Sequence, residues 1–363
     1  MAMKCYPVSM FCIVLVFASW VVANANAQNV IDDTDPHVAA AKAAAYRPGQ
    51  DFTGPFTQIC GERLPRRMRL EDGVLVPETR ASVAAPGRRI PPRSDWYQAP
   101  VKVFDNLYSV GSRNESMWVV TTSEGIILHD TAFDYMVEDQ IVDGLRTLGL
   151  DPTQIKYVII AQGHSDHYFG AKQLQDTYGA RIIMSEADWD LVANDNNTAE
   201  IKPRKDMVAT DGMELTLGDT TLTLYITPGH TPGTISTLIP LRDGDRWHLG
   251  SIWGGNSFGI RHFEEPLDAL RTHLTSARRF QDIAARARAD VYLSSHTPHD
   301  RTLEKLNALK FRNPGDPHPF VSSDAVWRHL TVISECTESA LGWLTQARRD
   351  GISMRHSIES GLR

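Results

Sequence analysis

The stretch Gln162-Gly163-His164-Ser165-Asp166-His167 sets two imidazoles and a carboxylate within four residues. That density suits a borderline-soft divalent cation such as zinc, which takes nitrogen and oxygen donors in tetrahedral sets. Two later loops offer the same kind of donor. Pro228-Gly229-His230-Thr231-Pro232-Gly233 presents one histidine on a rigid turn. Ser295-His296-Thr297-Pro298-His299 presents two, of which His296 lies closer to the preceding apolar run and is preferred over His299 as ligand. Gln162 heads the series with a neutral amide oxygen, a weaker zinc ligand than imidazole. Three histidine-bearing loops together point to one preassembled metal site, which would acidify a bound water for attack on a carbonyl. The blander reading, satisfied loop histidines without a metal, leaves their shared placement unexplained.

That placement is set by the elements around them. Each loop directly follows a run that reads as a buried strand: 157–161, 221–227 and 291–294. Loops at strand ends are where α/β folds gather their chemistry. Shorter β-type runs are expected at 101–104, 107–110, 117–122 and 126–129, with a hairpin at 214–227 and strands at 236–240 and 247–252. Helical spacing appears at 136–148, 171–178, 186–193, 267–287, 302–309 and 323–348. Two similar halves, each strands followed by helices, imply an α/β fold of two sheets packed face to face with helices outside. The polar stretch 194–205 is expected to be a lid. Trp96, Tyr97 and Trp189 are expected to be packing residues. His262, His273, His318, His329 and His356 are assigned to the surface or to helices.

Composition narrows the class further. The 363 residues carry 44 acidic and 37 basic side chains, a net charge of −7, with 42% hydrophobic and 22% charged residues. These values exclude a disordered or collagen-like chain and oppose nucleic-acid binding, which needs a basic surface. Residues 1–27 read as a secretory signal: Lys4, an apolar run over 8–23, then Ala25-Asn26-Ala27 before an expected mature start at Gln28. The alternative is an uncleaved anchor. A periplasmic or secreted protein without stable membrane association is therefore expected. Prolines punctuate 28–95, which reads as an irregular arm with one helix at 38–46, ahead of a domain over 96–350 and a tail over 351–363. Signal removal leaves Cys60 and Cys336, either one disulfide or two buried thiols.

With these residues in view, the sequence resembles the metallo-β-lactamase superfamily, whose signature is His-x-His-x-Asp-His followed by later single histidines. Within it, the sequence is most similar to the third subclass of metallo-β-lactamases, a subgroup of which also has glutamine at the first position. The resemblance spans about 101–309 and implies an αββα sandwich. It implies one zinc held by Asp166, His167 and His296, and a second, weaker one by Gln162, His164 and His230. Asp130 matches an aspartate that braces the ligand loops. Where many members carry a bridging aspartate or a cysteine, this sequence reads Gly250-Ser251-Ile252. Ser251 is then either a hydrogen-bond donor to a substrate carboxylate or a loop serine capping backbone. The implied activity is that of an exported zinc hydrolase conferring antibiotic resistance. It would open the β-lactam ring by attack of zinc-bound hydroxide on the amide carbonyl, with Asp166 orienting the nucleophile. The expected partner is a small-molecule β-lactam, met by a monomer. The alternatives are a lactone or ester hydrolase of the same fold and a zinc-binding protein without lactamase activity.

Overall fold

The computed structural model describes residues 31–32, 34–46, 52–61, 68–71, 74–77, 89–197, 199–351 and 353–354. The expected signal over 1–27, His356 and most of the tail lie outside these residues. β1 (Met68–Glu71) and β2 (Val74–Pro77) form a small ribbon that β15 (Ser353–Met354) joins alongside β2. A seven-stranded sheet follows. β3 (Val101–Lys102), β4 (Leu107–Ser109), β5 (Trp118–Thr122) and β6 (Gly125–His129) form an antiparallel meander. β7 (Ile155–Ile159), β8 (Arg181–Ser185) and β9 (Met207–Ala209) then add in parallel. Parallel neighbours need crossover connections. The helices Ala171–Tyr178 and Glu186–Asn194 supply two of them. The second sheet has five strands: β10 (Met213–Leu217), β11 (Thr220–Ile226), β12 (Ile235–Asp243), β13 (Arg246–Ile252) and β14 (Val291–Leu293).

The apolar pattern of these strands dictates three layers of core. Successive side chains on a strand point to opposite faces. In β5 to β8, Val120, Ile127, Ile159 and Ile183 meet Leu222, Leu224, Ile239 and Leu293 of the second sheet. Their neighbours Val119, Leu128, Val158 and Ile182 face the other way, onto Ile141, Leu145, Leu174 and Trp189 of the first helical layer. Strands covered on both faces read as continuous apolar runs, which is why 157–161 shows no alternation.

The opposite helical layer is built by two long helices, Pro266–Arg286 and Ala325–Arg349. The first starts with Pro at its N-terminus, where a missing N–H costs nothing. It buries Leu267, Leu270, Leu274, Ala277 and Phe280 at helical spacing. Among the described residues, no helix is long and apolar enough to cross a membrane.

The arm departs from the irregular stretch expected of it. Its helix, Pro36–Ala45, is capped by Asp35, whose carboxylate accepts from His37 N at 2.8 Å and from Ser339 Oγ at 2.6 Å. Val38, Ala41 and Ala45 join the core around the C-terminal helix. A second helical segment, Thr53–Pro55 running into Phe56–Cys60, ends in a disulfide between Cys60 and Cys336. Thr53, Gly54 and Pro55 open that second segment without an apolar period. Tertiary packing and the covalent bond hold it instead.

Candidate metal centre

The ligand loops gather at one edge of the sandwich because four strands end there. β6 ends at His129 and leads into Asp130, β7 into residues 162–167, β11 into His230, and β14 into His296. Two hydrogen bonds stitch the sheets together at this edge: Ile235 N donates to Ala161 O at 2.7 Å, and the Trp118 indole Nε1 to Ser294 O at 2.9 Å. Ser116 N to Ser295 O (2.9 Å) and Thr297 N to Asn114 O (3.0 Å) clamp the His296 loop between them.

Asp166, His167 and His296 converge, with one potential ligand atom from each lying within 4.8 Å of the others. Asp166 Oδ2 lies 3.9 Å from His167 Nε2 and 3.7 Å from His296 Nε2. Two imidazoles and one carboxylate form a donor set that zinc accepts with a position left open. Asp130 braces this cluster from behind. It takes a left-handed backbone (φ 61°) and is fully buried. Its Oδ1 accepts from Ala161 N at 2.8 Å, and its Oδ2 from His167 Nδ1 at 2.9 Å. This bond leaves Nε2 as the ring atom directed at the cluster. Burial alone would raise the Asp130 carboxyl, but the His167 and His129 imidazoles outweigh it and hold the group well below the usual carboxylate range. Burial likewise opposes charge on His167, yet Asp130 and then Asp166 raise its imidazole to about 9. The field that retains this proton is one that favours a divalent cation.

The second expected set is also adjacent. His164 Nδ1 lies 3.1 Å from His230 Nε2, and His230 Nδ1 donates to Ser257 O at 2.7 Å. Burial pushes the His230 imidazole down to about 3. Gln162 is buried, with its amide nitrogen 2.7 Å from His167 Nε2 and its Oε1 without a partner among the described residues. Rotating that amide by half a turn gives Oε1 a protonated His167 to accept from. Gln162 thus contacts His167 of the first set, while His164 and His230 contact each other.

Other expectations change in detail. Ser251 is fully buried, and its hydroxyl has no partner among the described residues. On β13 it pairs with Leu238 and Tyr292, both in the helix-facing core, whereas Ile252 faces the opposite sheet. Pleat parity therefore sets Ser251 on the helix-facing side of β13. The 194–205 stretch is fastened rather than lid-like. Lys202 Nζ pairs with Asp195 Oδ1 at 2.8 Å, and Tyr168, next to His167, donates to Asp195 Oδ2 at 2.5 Å. His299 is no ligand; it bonds Asn256 and, at 2.7 Å, Gln58 Oε1 of the arm, while its ring packs on His296 with centroids 5.2 Å apart. His262 is not a bystander, since its Nε2 lies 2.8 Å from His164 Nε2. Trp96 and Trp189 are buried packing residues, as expected.

Asp188 went unnoticed in the sequence. Its buried carboxylate accepts from Gly163 N (2.8 Å), Thr231 Oγ1 (2.7 Å) and Gly233 N (2.9 Å). One side chain thus joins the turn before His164 to the turn after His230. Gly233 must be glycine, because a Cβ there would stand 1.8 Å from Ser185 Oγ. An aspartate three residues after a capping serine looks like any first-turn acid, so only a buried helix start in the neighbourhood of two ligand loops could have flagged it.

A two-sheet sandwich thus collects histidine and aspartate side chains, the donor types a divalent cation takes, on its strand-end loops. Residues 110–244 match the family described as the metallo-beta-lactamase superfamily. The structure is similar to that of BJP-1, a subclass B3 metallo-beta-lactamase of Bradyrhizobium japonicum, at 24% identity and TM-score 0.56, over 70% of this chain and 96% of that one. It is also similar to the Rm3 metallo-beta-lactamase at 25% identity and TM-score 0.59, over 69% and 96%. In sequence, 85 residues are 32% identical to a hydroxyacylglutathione hydrolase of Acidiphilium cryptum (strain JF-5), covering 23% of this chain and 31% of that one. The chain spans between 31% and 53% of the length of the curated relatives it matches.

Proposed function

We propose that the protein is an exported zinc-dependent hydrolase that opens β-lactam rings. The observation that carries this reading is the open triad of Asp166, His167 and His296, held at a strand-end edge by Asp130. Zinc held there would supply a Lewis acid and a water acidified toward neutrality. The chain's own groups do the rest. Asp130 keeps the His167 proton on Nδ1. Asp166 presents Oδ2 to the two imidazoles, leaving Oδ1 to take the proton of the attacking water. The absence of aspartate or cysteine at Gly250-Ser251-Ile252 and the likeness to subclass B3 enzymes favour a lactam over a thioester. Likeness to a hydroxyacylglutathione hydrolase favours the second reading, an ester or thioester hydrolase. The Cys60–Cys336 disulfide supports export into an oxidising compartment, after removal of a signal over 1–27.

The test is hydrolysis of a chromogenic cephalosporin by the mature protein, before and after chelation and after zinc is restored. Turnover that vanishes with the chelator and returns with zinc is expected. A zinc-loaded protein inert toward cephalosporins but active on a lactone or thioester would overturn the lactam reading.

A further inference from the structure

His296 opens a short turn, Thr297–His299, and the last residue of that turn is fastened from two directions. His299 N donates back to His296 O at 3.1 Å, so the two histidines share one turn. The His299 ring is bonded at both nitrogens: Nδ1 meets Asn256 Nδ2, and Nε2 lies 2.7 Å from Gln58 Oε1. Asn256 stands on the loop that leaves β13 and is almost fully buried. Its other amide atom, Oδ1, lies 3.0 Å from Nε2 of the buried His329, whose ring stacks on Tyr292 with centroids 4.0 Å apart. A carboxamide carries both a donor and an acceptor, so this one residue serves both rings whichever way its amide faces. Gln58 comes from the arm, in the segment that ends at the Cys60–Cys336 disulfide.

What the His299 ring touches gives these bonds their consequence. The His296 ring packs against two imidazoles, His167 and His299, each with centroids 5.2 Å away and each edge-on, at 87° and 67°. His167 is held from behind by Asp130 Oδ2. Asn256 and Gln58 do for His299 what Asp130 does for His167. An imidazole ligand needs a fixed ring orientation, and the groups behind it tune how tightly the metal is held. The arm also reaches this turn through its backbone, since a Cβ on Gly54 would stand 2.5 Å from Pro298 O.

We propose that Asn256 and Gln58 are positioning residues for His296: they clamp His299, and His299 sets the aim of the His296 ring toward Asp166 and His167. The arm is then a working part of the metal centre rather than a cover laid over the fold. Both residues act through His299. The inference rests on the metal-binding part of the proposed function and is independent of the β-lactam part.

The test titrates the metal-free protein with cobalt(II), whose visible absorbance reports both affinity and ligand geometry, alongside the melting temperature of the metal-free protein. Gln58→Met removes the bond from the arm at nearly constant volume. It should weaken the tight equivalent by roughly tenfold and alter the shape of the absorbance bands. Asn256→Leu, which strips the other ring nitrogen, should do the same, and the methionine variant carries the test if the leucine variant folds poorly. Gln58→Glu, which can still bond the ring, should keep the parent's bands. Bands and affinity unchanged in Gln58→Met, with the melting temperature maintained, would overturn the clamp. A lower melting temperature with unchanged bands would show a role in the fold alone and overturn it as well. A parent that takes up no cobalt sinks the metal reading and the clamp with it. A parent that binds cobalt, responds to these variants and ignores cephalosporins sinks only the lactam reading.

Discussion

Asp188→Ala puts the linkage between the two ligand turns at risk, and its cost follows from the partners left behind. Three donors lose their acceptor at once: Gly163 N, Gly233 N and Thr231 Oγ1. Thr231 keeps a second partner, Thr234 Oγ1 at 2.7 Å. The two amides have no comparable recourse. A buried donor stripped of its acceptor costs roughly 1–3 kcal/mol, so the pair brings the expected loss to about 4 kcal/mol. Asp188→Asn should lose about 2 kcal/mol: its oxygen can stay with Gly163 and Thr231 while its NH2 confronts the Gly233 N–H. Burial pushes the Asp188 carboxyl up to about 6, so the group is ionised at neutral pH, where the comparison belongs. Urea unfolding at pH 7.5 of the metal-free proteins gives these differences directly. Repeating it with excess zinc measures the metal-linked increment, which grows with the logarithm of metal over its dissociation constant. Because Asp188 holds both turns that carry His164 and His230, that increment should shrink in both variants. An alanine variant within about 1 kcal/mol of the parent, with an unchanged increment, would refute the linkage.

Further outcomes follow from other contacts. Replacing Cys60 and Cys336 by serine opens a covalent loop with a sequence separation of 276, for which the chain-entropy estimate is about 5 kcal/mol. The double variant should melt well below the parent, and reductant should lower the parent's melting temperature but not the variant's. Asp243 receives both Arg312 nitrogens, at 3.0 and 2.8 Å, and this pairing holds its carboxyl down to about 2. A depressed acid stabilises the fold above its unfolded value near 4 and loses that contribution as pH falls toward 2. Asp243→Asn should therefore cost about 2 kcal/mol at pH 6, with the gap closing in denaturation curves taken at progressively lower pH.

What the sequence discloses and what it conceals divide along a physical line. The strands that end at the site are legible because their side chains are buried on both faces, and the candidate ligands because few residue types can bind a divalent metal. The convergence of Asp166, His167 and His296 was therefore foreseeable from three loops in separate parts of the chain. His262 and Asp188 were not, since nothing in their local spacing records that a loop from β13 or a helix start from β8 will arrive beside His164. The 194–205 stretch is polar because Asp195, Asn197 and Lys202 bond to one another and to Tyr168, not because it moves. Polarity alone cannot separate a fastened loop from a lid.

The disulfide gives the assembly an order in time. Cys60 belongs to the segment whose Gln58 bonds His299, and whose Gly54 lies so close to Pro298 O that a Cβ would stand 2.5 Å from it. Its covalent partner is made 276 residues later, in the helix Ala325–Arg349. On a ribosome the arm emerges long before the surface it must rest on, so the backing of the His296 loop is among the last things built. The finished edge requires both a completed chain and an oxidant. A molecule still being synthesised, or kept where thiols stay reduced, lacks that covalent backing.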